Sequence, residues 1–168
     1  KRSMELHAWV NMIRCFASSE NLDLKQKKHL INTNPEWIIK RTTNGITDGW
    51  LDPGIPEVES YLVDIIKEII YNYDVDGVHL DFLRYPGMQF KDETTFQKYA
   101  NGINKDDWRR ENINRILSNV YKTVKDYNKN ILVGIAPFGI YKNTKQFWGA
   151  ESYKEVYQDT QTWIDRNI

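Results

Sequence analysis

The segment Asp76-Gly77-Val78-His79-Leu80-Asp81-Phe82-Leu83-Arg84-Tyr85-Pro86 concentrates groups that can do chemistry. Asp81 and His79 are two residues apart in a run that reads as a β-strand, so both project from one face. A carboxylate at the end of such a strand can attack an anomeric carbon, or can stabilise positive charge on a sugar ring. His79, one layer deeper, can donate a hydrogen bond to Asp81 or to a sugar hydroxyl. Arg84 can hold Asp81 ionised by lowering its pKa. A structural reading stands beside the catalytic one: Asp81 closes the strand end and pairs with Arg84. A second constellation is Leu6-His7-Ala8-Trp9-Val10-Asn11, in which His7, Trp9 and Asn11 share a face. A tryptophan platform beside polar groups suits a sugar subsite, and a packing tryptophan with a satisfied histidine is the alternative.

Further candidates are weaker. Asp52 can contact substrate, or can shape the turn Asp52-Pro53-Gly54. Asp106-Asp107-Trp108-Arg109-Arg110 reads as helix-start acids and a solvated face, and Pro137-Phe138-Gly139 as a turn with little chemistry of its own. No Gly-rich phosphate loop occurs. His7, His79 and Asp81 are conceivable metal ligands, but HxH and HExxH spacings are absent, so metal-dependent hydrolysis ranks low and no metal or cofactor is expected. Cys15 is the single cysteine, which excludes an internal disulfide and is not evidence of a nucleophile.

The elements that must position these groups follow from periodicity. Glu5 to Val10 alternates as a strand with one apolar side. Arg14 to about Pro56 reads as a long irregular connection with turn chemistry at Asn34-Pro35, Asn44-Gly45, Asp48-Gly49 and Asp52-Pro53-Gly54, too long for a plain loop. Pro56-Glu57 opens a helix whose stripe is Val58, Tyr61, Leu62, Ile65, Ile66, Ile69, Ile70 and Tyr73. Val75 to Asp81 is a second strand, and residues 83–105 a second long loop. Asp106 to Tyr127, with Asn104 as N-cap, is a second helix. Ile131 to Ala136 is a third strand. Ser152-Tyr153-Lys154-Glu155 has the pattern of a capping box and opens a third helix carrying Val156, Tyr157, Thr160, Trp163 and Ile164. The order β-α-β-α-β-α implies an α/β fold with a parallel sheet and crossover helices. Strands of open parallel sheets are apolar on both faces. Polar groups near strand C-terminal ends therefore favour part of a TIM (β/α)8 barrel, whose active sites lie there.

Composition bounds the partners. The 168 residues are about one domain, here a single partial barrel domain over 1–168. The 23 basic and 23 acidic residues cancel, which removes any sequence-independent pull toward nucleic acid or anionic membrane. Aromatics make up 13% of the chain, including 6 Trp and 10 Tyr; they fit sugar platforms, or an ordinary well-packed core. No run approaches the roughly 18 apolar residues of a membrane helix. Lys1-Arg2-Ser3-Met4 opens no hydrophobic signal segment, so an export signal would lie outside these residues.

Several motifs in order resemble one family: His7-Ala8-Trp9-Val10-Asn11 with Arg14, Asn34-Pro35-Glu36-Trp37, Leu51-Asp52-Pro53-Gly54-Ile55-Pro56-Glu57-Val58, Tyr73 to Asp81, Trp108-Arg109-Arg110, Ala136-Pro137-Phe138-Gly139 and Tyr153 to Trp163. The family is the glycosyl hydrolase-like family 10, distantly similar to the α-amylase superfamily. The resemblance implies a bacterial, exported or lipid-anchored (β/α)8-barrel protein that hydrolyses glycosidic bonds in envelope or other polysaccharide. It sets the strands as the third, fourth and fifth of the barrel, the others being absent from this chain. Gly77-Val78-His79-Leu80-Asp81 matches the superfamily's Gly-x-Arg-x-Asp, with His79 in place of Arg and Asp81 in the nucleophile's place. Phe82 stands where the family often has a second Asp, Asn11-Met12-Ile13-Arg14 where it has Asn-Pro-Tyr-Arg, and Ala136 where serine is common. The general acid is not evident. A non-catalytic carbohydrate-binding barrel is the alternative. A half barrel leaves two sheet edges open, so these residues alone are expected to be inactive and to self-associate.

Overall fold

A computed structural model describes residues 4–18 and 28–168. Lys1 to Ser3, and residues 19–27 of the long connection, lie outside the described residues.

Three parallel strands organise the chain: β1 (His7–Asn11), β5 (Gly77–Asp81) and β6 (Leu132–Ile135), in the order β1-β5-β6. Helix α2 (Pro56–Asn72) connects the first pair and α4 (Lys105–Tyr127) the second. The fold is thus α/β with crossover helices, as the alternation implied. Val78 and Leu80 of β5 are wholly buried with Val58, Leu62, Ile66 and Ile70 of α2 and Ile113, Ile116, Leu117, Val120 and Val124 of α4. Each such aliphatic side chain contributes about 1.5–3 kcal/mol by leaving water. Asn104 caps α4 as expected, its side-chain oxygen accepting from the Asp106 and Asp107 amides at 2.9 and 3.4 Å.

The described part of the long connection is not irregular. It folds into a second, antiparallel sheet of order β2-β4-β3, from β2 (Arg14–Ser18), β3 (Ile38–Thr43) and β4 (Ile46–Leu51), with a short helix α1 (Leu30–Thr33) and a 3-10 turn at Pro35–Trp37. Asn44 and Gly45, at φ 51° and 75°, join β3 to β4. Two successive positive φ values are what a tight hairpin with the right twist requires, and Asn-Gly supplies them at least cost. The loop 83–105 likewise holds a helix, α3 (Glu93–Tyr99).

The third expected helix is two short ones, α5 (Ser152–Glu155) and α6 (Thr160–Asp165). Tyr157 between them has φ 62°, outside the right-handed helical range. The capping box fails here: Glu151, not Ser152, is the N-cap residue and makes no side-chain cap bond. Asp159 performs that job for α6, accepting from the Thr162 amide at 3.4 Å and its hydroxyl at 2.7 Å.

Arg109 corrects the reading of residues 106–110 as a solvated face. Arg109 is 2% exposed. It donates to both Asp92 oxygens at 2.8 and 2.6 Å, to the Met88 and Phe90 carbonyls and to the Tyr157 hydroxyl. It thereby fastens the loop after β5 and the C-terminal segment to α4. The pattern of a charge run cannot distinguish solvated arginine from one that meets carbonyls brought in by distant loops.

Candidate active site

Parallel pairing in register places the chemistry. Asn11 lies opposite Asp81, Trp9 opposite His79 and His7 opposite Gly77; on the other side His79 lies opposite Gly134. Alternation then puts His7, Trp9, Asn11, His79 and Asp81 on the face turned away from α2 and α4. Each imidazole lies over a glycine of the next strand. A Cβ at Gly77 would come within 2.5 Å of His7 Nδ1, and one at Gly134 within 3.1 Å of His79 Nδ1. Those two glycines make the room in which the histidines lie flat.

Asp81 is held from two sides. Its Oδ2 accepts a 3.0 Å hydrogen bond from Trp9 Nε1, and its Oδ1 a 2.7 Å bond from the Phe82 amide. Trp9 is 73% exposed, so one end of the indole orients the carboxylate while the ring stays open to a ligand. The ring also meets His79 edge-on at 5.7 Å. His79 therefore does not serve Asp81 as donor; Trp9 does. Phe82 has φ 51°, a left-handed conformation costly for a bulky residue, about 1–3 kcal/mol. The turn it makes at the strand end is tied back by the Met12 amide donating to the Asp81 carbonyl at 2.8 Å.

The other sequence candidates are distributed differently. His7 Nε2 is 3.2 Å from Glu5 Oε2. Asn11 lines a recess of about 470 Å³ with Arg14, Cys15, His29 and Tyr61. Burial pushes the Cys15 thiol above its usual value, away from nucleophile character. Asp52 takes the turn role: it is 2% exposed, accepting from the Gly54 amide at 3.0 Å and from the Thr95 hydroxyl. Arg84 forms no ion pair with Asp81 among the described residues. It stacks instead over Trp50, Phe82 and Phe138 at 5.5, 5.0 and 4.8 Å. His7, His79 and Asp81 are not gathered as a metal site; among the described residues no three His, Cys, Asp or Glu side chains are.

Three groups near this face are not singled out by sequence patterns. Arg41 and Asp48, in register on β3 and β4, form a 2.9 Å ion pair, and Trp50 lies beneath Arg14 and Arg41. The signal that could have found them is the Asn-Gly hairpin, which sets register and thus who faces whom.

A parallel α/β unit with a carboxylate, an indole and imidazoles on one uncovered face falls in the class that builds active sites at strand C-terminal ends. The chain belongs to the glycosyl hydrolase-like 10 family, whose profile matches residues 1–168. It is 32% identical to glycosyl hydrolase YngK of Bacillus subtilis over 98% of this chain and 34% of that protein. It is 31% identical to glycosyl hydrolase DigH of Escherichia coli K12 over 100% of this chain and 42% of that protein. The chain thus spans well under half the length of these relatives. A solved structure, the Thermus thermophilus alpha-galactosidase TtGalA with p-nitrophenyl alpha-D-galactopyranoside, aligns with 80% of this chain and 24% of its own, at 14% identity and a TM-score of 0.44.

Proposed function

We propose that these residues form one flank of the active site of a glycoside hydrolase acting on bacterial envelope or other polysaccharide. Asp81 is the nucleophile or charge-stabilising carboxylate, and Trp9, His79, His7, Asn11 and Arg84 bind sugar. The observation that carries this reading is the Trp9–Asp81 pair: a carboxylate at the end of the central parallel strand, oriented by an indole whose face is free to stack. In the complete protein the sheet is a section of a (β/α)8 barrel, exported or lipid-anchored, and the general acid comes from strands beyond these.

The test is Asp81→Asn in the full-length protein. Loss of the nucleophile is expected to cut release of reducing ends by about 10³-fold or more while the fold stays intact. Unchanged release across a polysaccharide panel would remove Asp81 from catalysis. Phe82 favours a second reading, a non-catalytic carbohydrate-binding barrel, because an aromatic stands where the family pattern has a further carboxylate. Polysaccharide binding without hydrolysis by the wild type would select it. The isolated 168 residues expose β1 and β6 as open edges and are expected to self-associate. A monodisperse monomer in light scattering counts against the barrel-section reading.

A further inference from the structure

Three arginines converge beside Asp81 with too few acids to match them. Arg14 and Arg84 each stand three residues past the last residue of a parallel strand, Asn11 and Asp81, which are paired in register. Arg41 reaches the same place from β3, donating to the Pro86 carbonyl at 3.0 Å. All three guanidinium groups lie over one ring, Trp50, at 6.0, 5.8 and 5.5 Å, and Arg14 and Arg84 share Phe82 as well. The aromatic floor is apolar and cannot neutralise them. Asp48 serves Arg41 at 2.9 Å and Arg14 at 3.5 Å. It has no ion pair with Arg84.

Arg84 is left short of partners. Its one hydrogen bond to a described residue is a 3.4 Å contact with the Tyr85 carbonyl. Arg14 Nε is buried and has no hydrogen-bond partner among the described residues. Burial lowers the Arg84 pKa; the Asp81 charge opposes this, and the charges of Arg14 and Arg41 act in the same direction as burial. Planar guanidinium forks with free donors, on a floor that excludes water, suit a carboxylate, which they bind in bidentate fashion. The chain as a whole has formal net charge +0, so an anion would be drawn by this cluster and not by a general field.

We propose that Arg84, backed by Arg14 and Arg41, is an anion subsite beside Asp81, and that the glycan bound on this face carries a carboxylate on its sugar ring or ring substituent. This rests on the reading of the face as glycan-binding; the site then selects sugar acids over neutral sugars. The charge of Asp81 sets the geometry, since an acidic group on the sugar must sit on the arginine side and leave the reacting carbon to Asp81.

The test is affinity electrophoresis of the full-length protein in gels containing polygalacturonate, its carboxyl-reduced counterpart, or dextran sulfate. The wild type is expected to bind polygalacturonate about tenfold or more tightly than the reduced polymer, and Arg84→Gln to bind the two alike. Arg84→Lys keeps the charge but loses the fork, and should restore part of the preference, which a merely misfolded variant would not. Asp81→Asn should keep or strengthen the preference, because it removes the negative charge that acts on Arg84. Equal binding of the acidic and reduced polymers by the wild type, or binding of neither, overturns the subsite. So does equal or tighter binding of dextran sulfate, which marks an unselective polyanion surface. Hydrolysis by the Asp81→Asn protein is read separately: its persistence would sink the catalytic reading and leave the subsite standing.

Discussion

The two faces of the parallel sheet are built from alternate residues of the same strands and behave as different materials. Toward α2 and α4, Val78 and Leu80 have no exposed surface. On the other side, Trp9 is 73% exposed and His79 and Asp81 are half-buried. One residue of register separates a side chain that holds the fold from one on the uncovered face where we propose that sugar binds. Stability and chemistry are thereby decoupled, and substitutions on the two faces should separate in the same way.

The sharpest separation is Leu80→Ala against Asp81→Asn, neighbours in sequence on opposite faces. Truncating Leu80 in the sealed core is expected to cost about 2–5 kcal/mol in urea unfolding, with activity per folded molecule little changed. Asp81→Asn should do the reverse, leaving the unfolding midpoint near that of the wild type. If Leu80→Ala abolished activity in protein shown to be folded, the two faces would not be independent.

Arg109→Met probes a charge that belongs with the covered side although it lies among loops. Its side chain and that of Asp92 are 3% and 0% exposed, so truncation takes away both guanidinium bonds to a buried acid and leaves it Lys105, at 2.9 Å, as its remaining cation. Because the Met88 and Phe90 carbonyls and the Tyr157 hydroxyl lose their donor at the same time, the expected loss is about 3 kcal/mol. Arg84→Met removes a cation from the open side, where no acid within ion-pair distance is left behind, and should cost distinctly less in the same unfolding assay. Equal losses would mean that Arg84 is structural.

Much of this contrast is legible in the amino-acid sequence. The alternation of residues 75–81 assigns Val78, Leu80, His79 and Asp81 to their faces, and the stripe of α2 names the helix that covers the first pair. What sequence patterns do not carry is whatever depends on segments meeting across long separation. Trp9 and Asp81 are 72 residues apart, and their hydrogen bond follows only from the parallel register. Arg109 reads as solvated because its partners Asp92, Met88, Phe90 and Tyr157 come from loops whose paths no periodicity records. The antiparallel sheet is hidden for a different reason. Ile38 to Thr43 and Ile46 to Leu51 flank Asn44-Gly45 as hairpin strands should, but four turn motifs within about twenty residues make the whole stretch resemble a loop and mask the β-branched runs between them. Asp52 stays ambiguous because a carboxylate two residues before a glycine reads the same whether it binds a ligand or its own turn.

Gly134→Ala is a smaller perturbation of the open face alone. The added methyl would sit 3.1 Å from His79 Nδ1, so the ring must give by a few tenths of an ångström. Stability should change by less than about 1 kcal/mol, while a misplaced ring beside Trp9 and Asp81 is expected to lower kcat/KM by up to about 10²-fold. Unaltered kinetics would show that His79 does not bear on the site.

The smallest effect concerns two acids four residues apart that should respond to pH with opposite sign. Burial pushes Asp48 up, but hydrogen bonds from Arg41 and Trp50 and the charges of Arg14 and Arg41 outweigh it, leaving the carboxyl below its usual range. Its stabilisation is present above the unfolded value and is lost as pH falls through the depressed one. Asp52 is raised: burial dominates, and the bonds from Thr95 and Gly54 offset only part of it. Its contribution is therefore fully present below the unfolded value and is lost as pH rises through the folded one. Asp52→Asn keeps a carbonyl for the Gly54 amide and removes the ionisation. The variant should thus gain on the wild type as pH rises through the acidic range, and Asp48→Asn should lose on it over the same interval. Paired denaturation curves from acid to neutral pH read the two slopes directly. Parallel slopes would mean that the arginines around Asp48 do not act on it in solution.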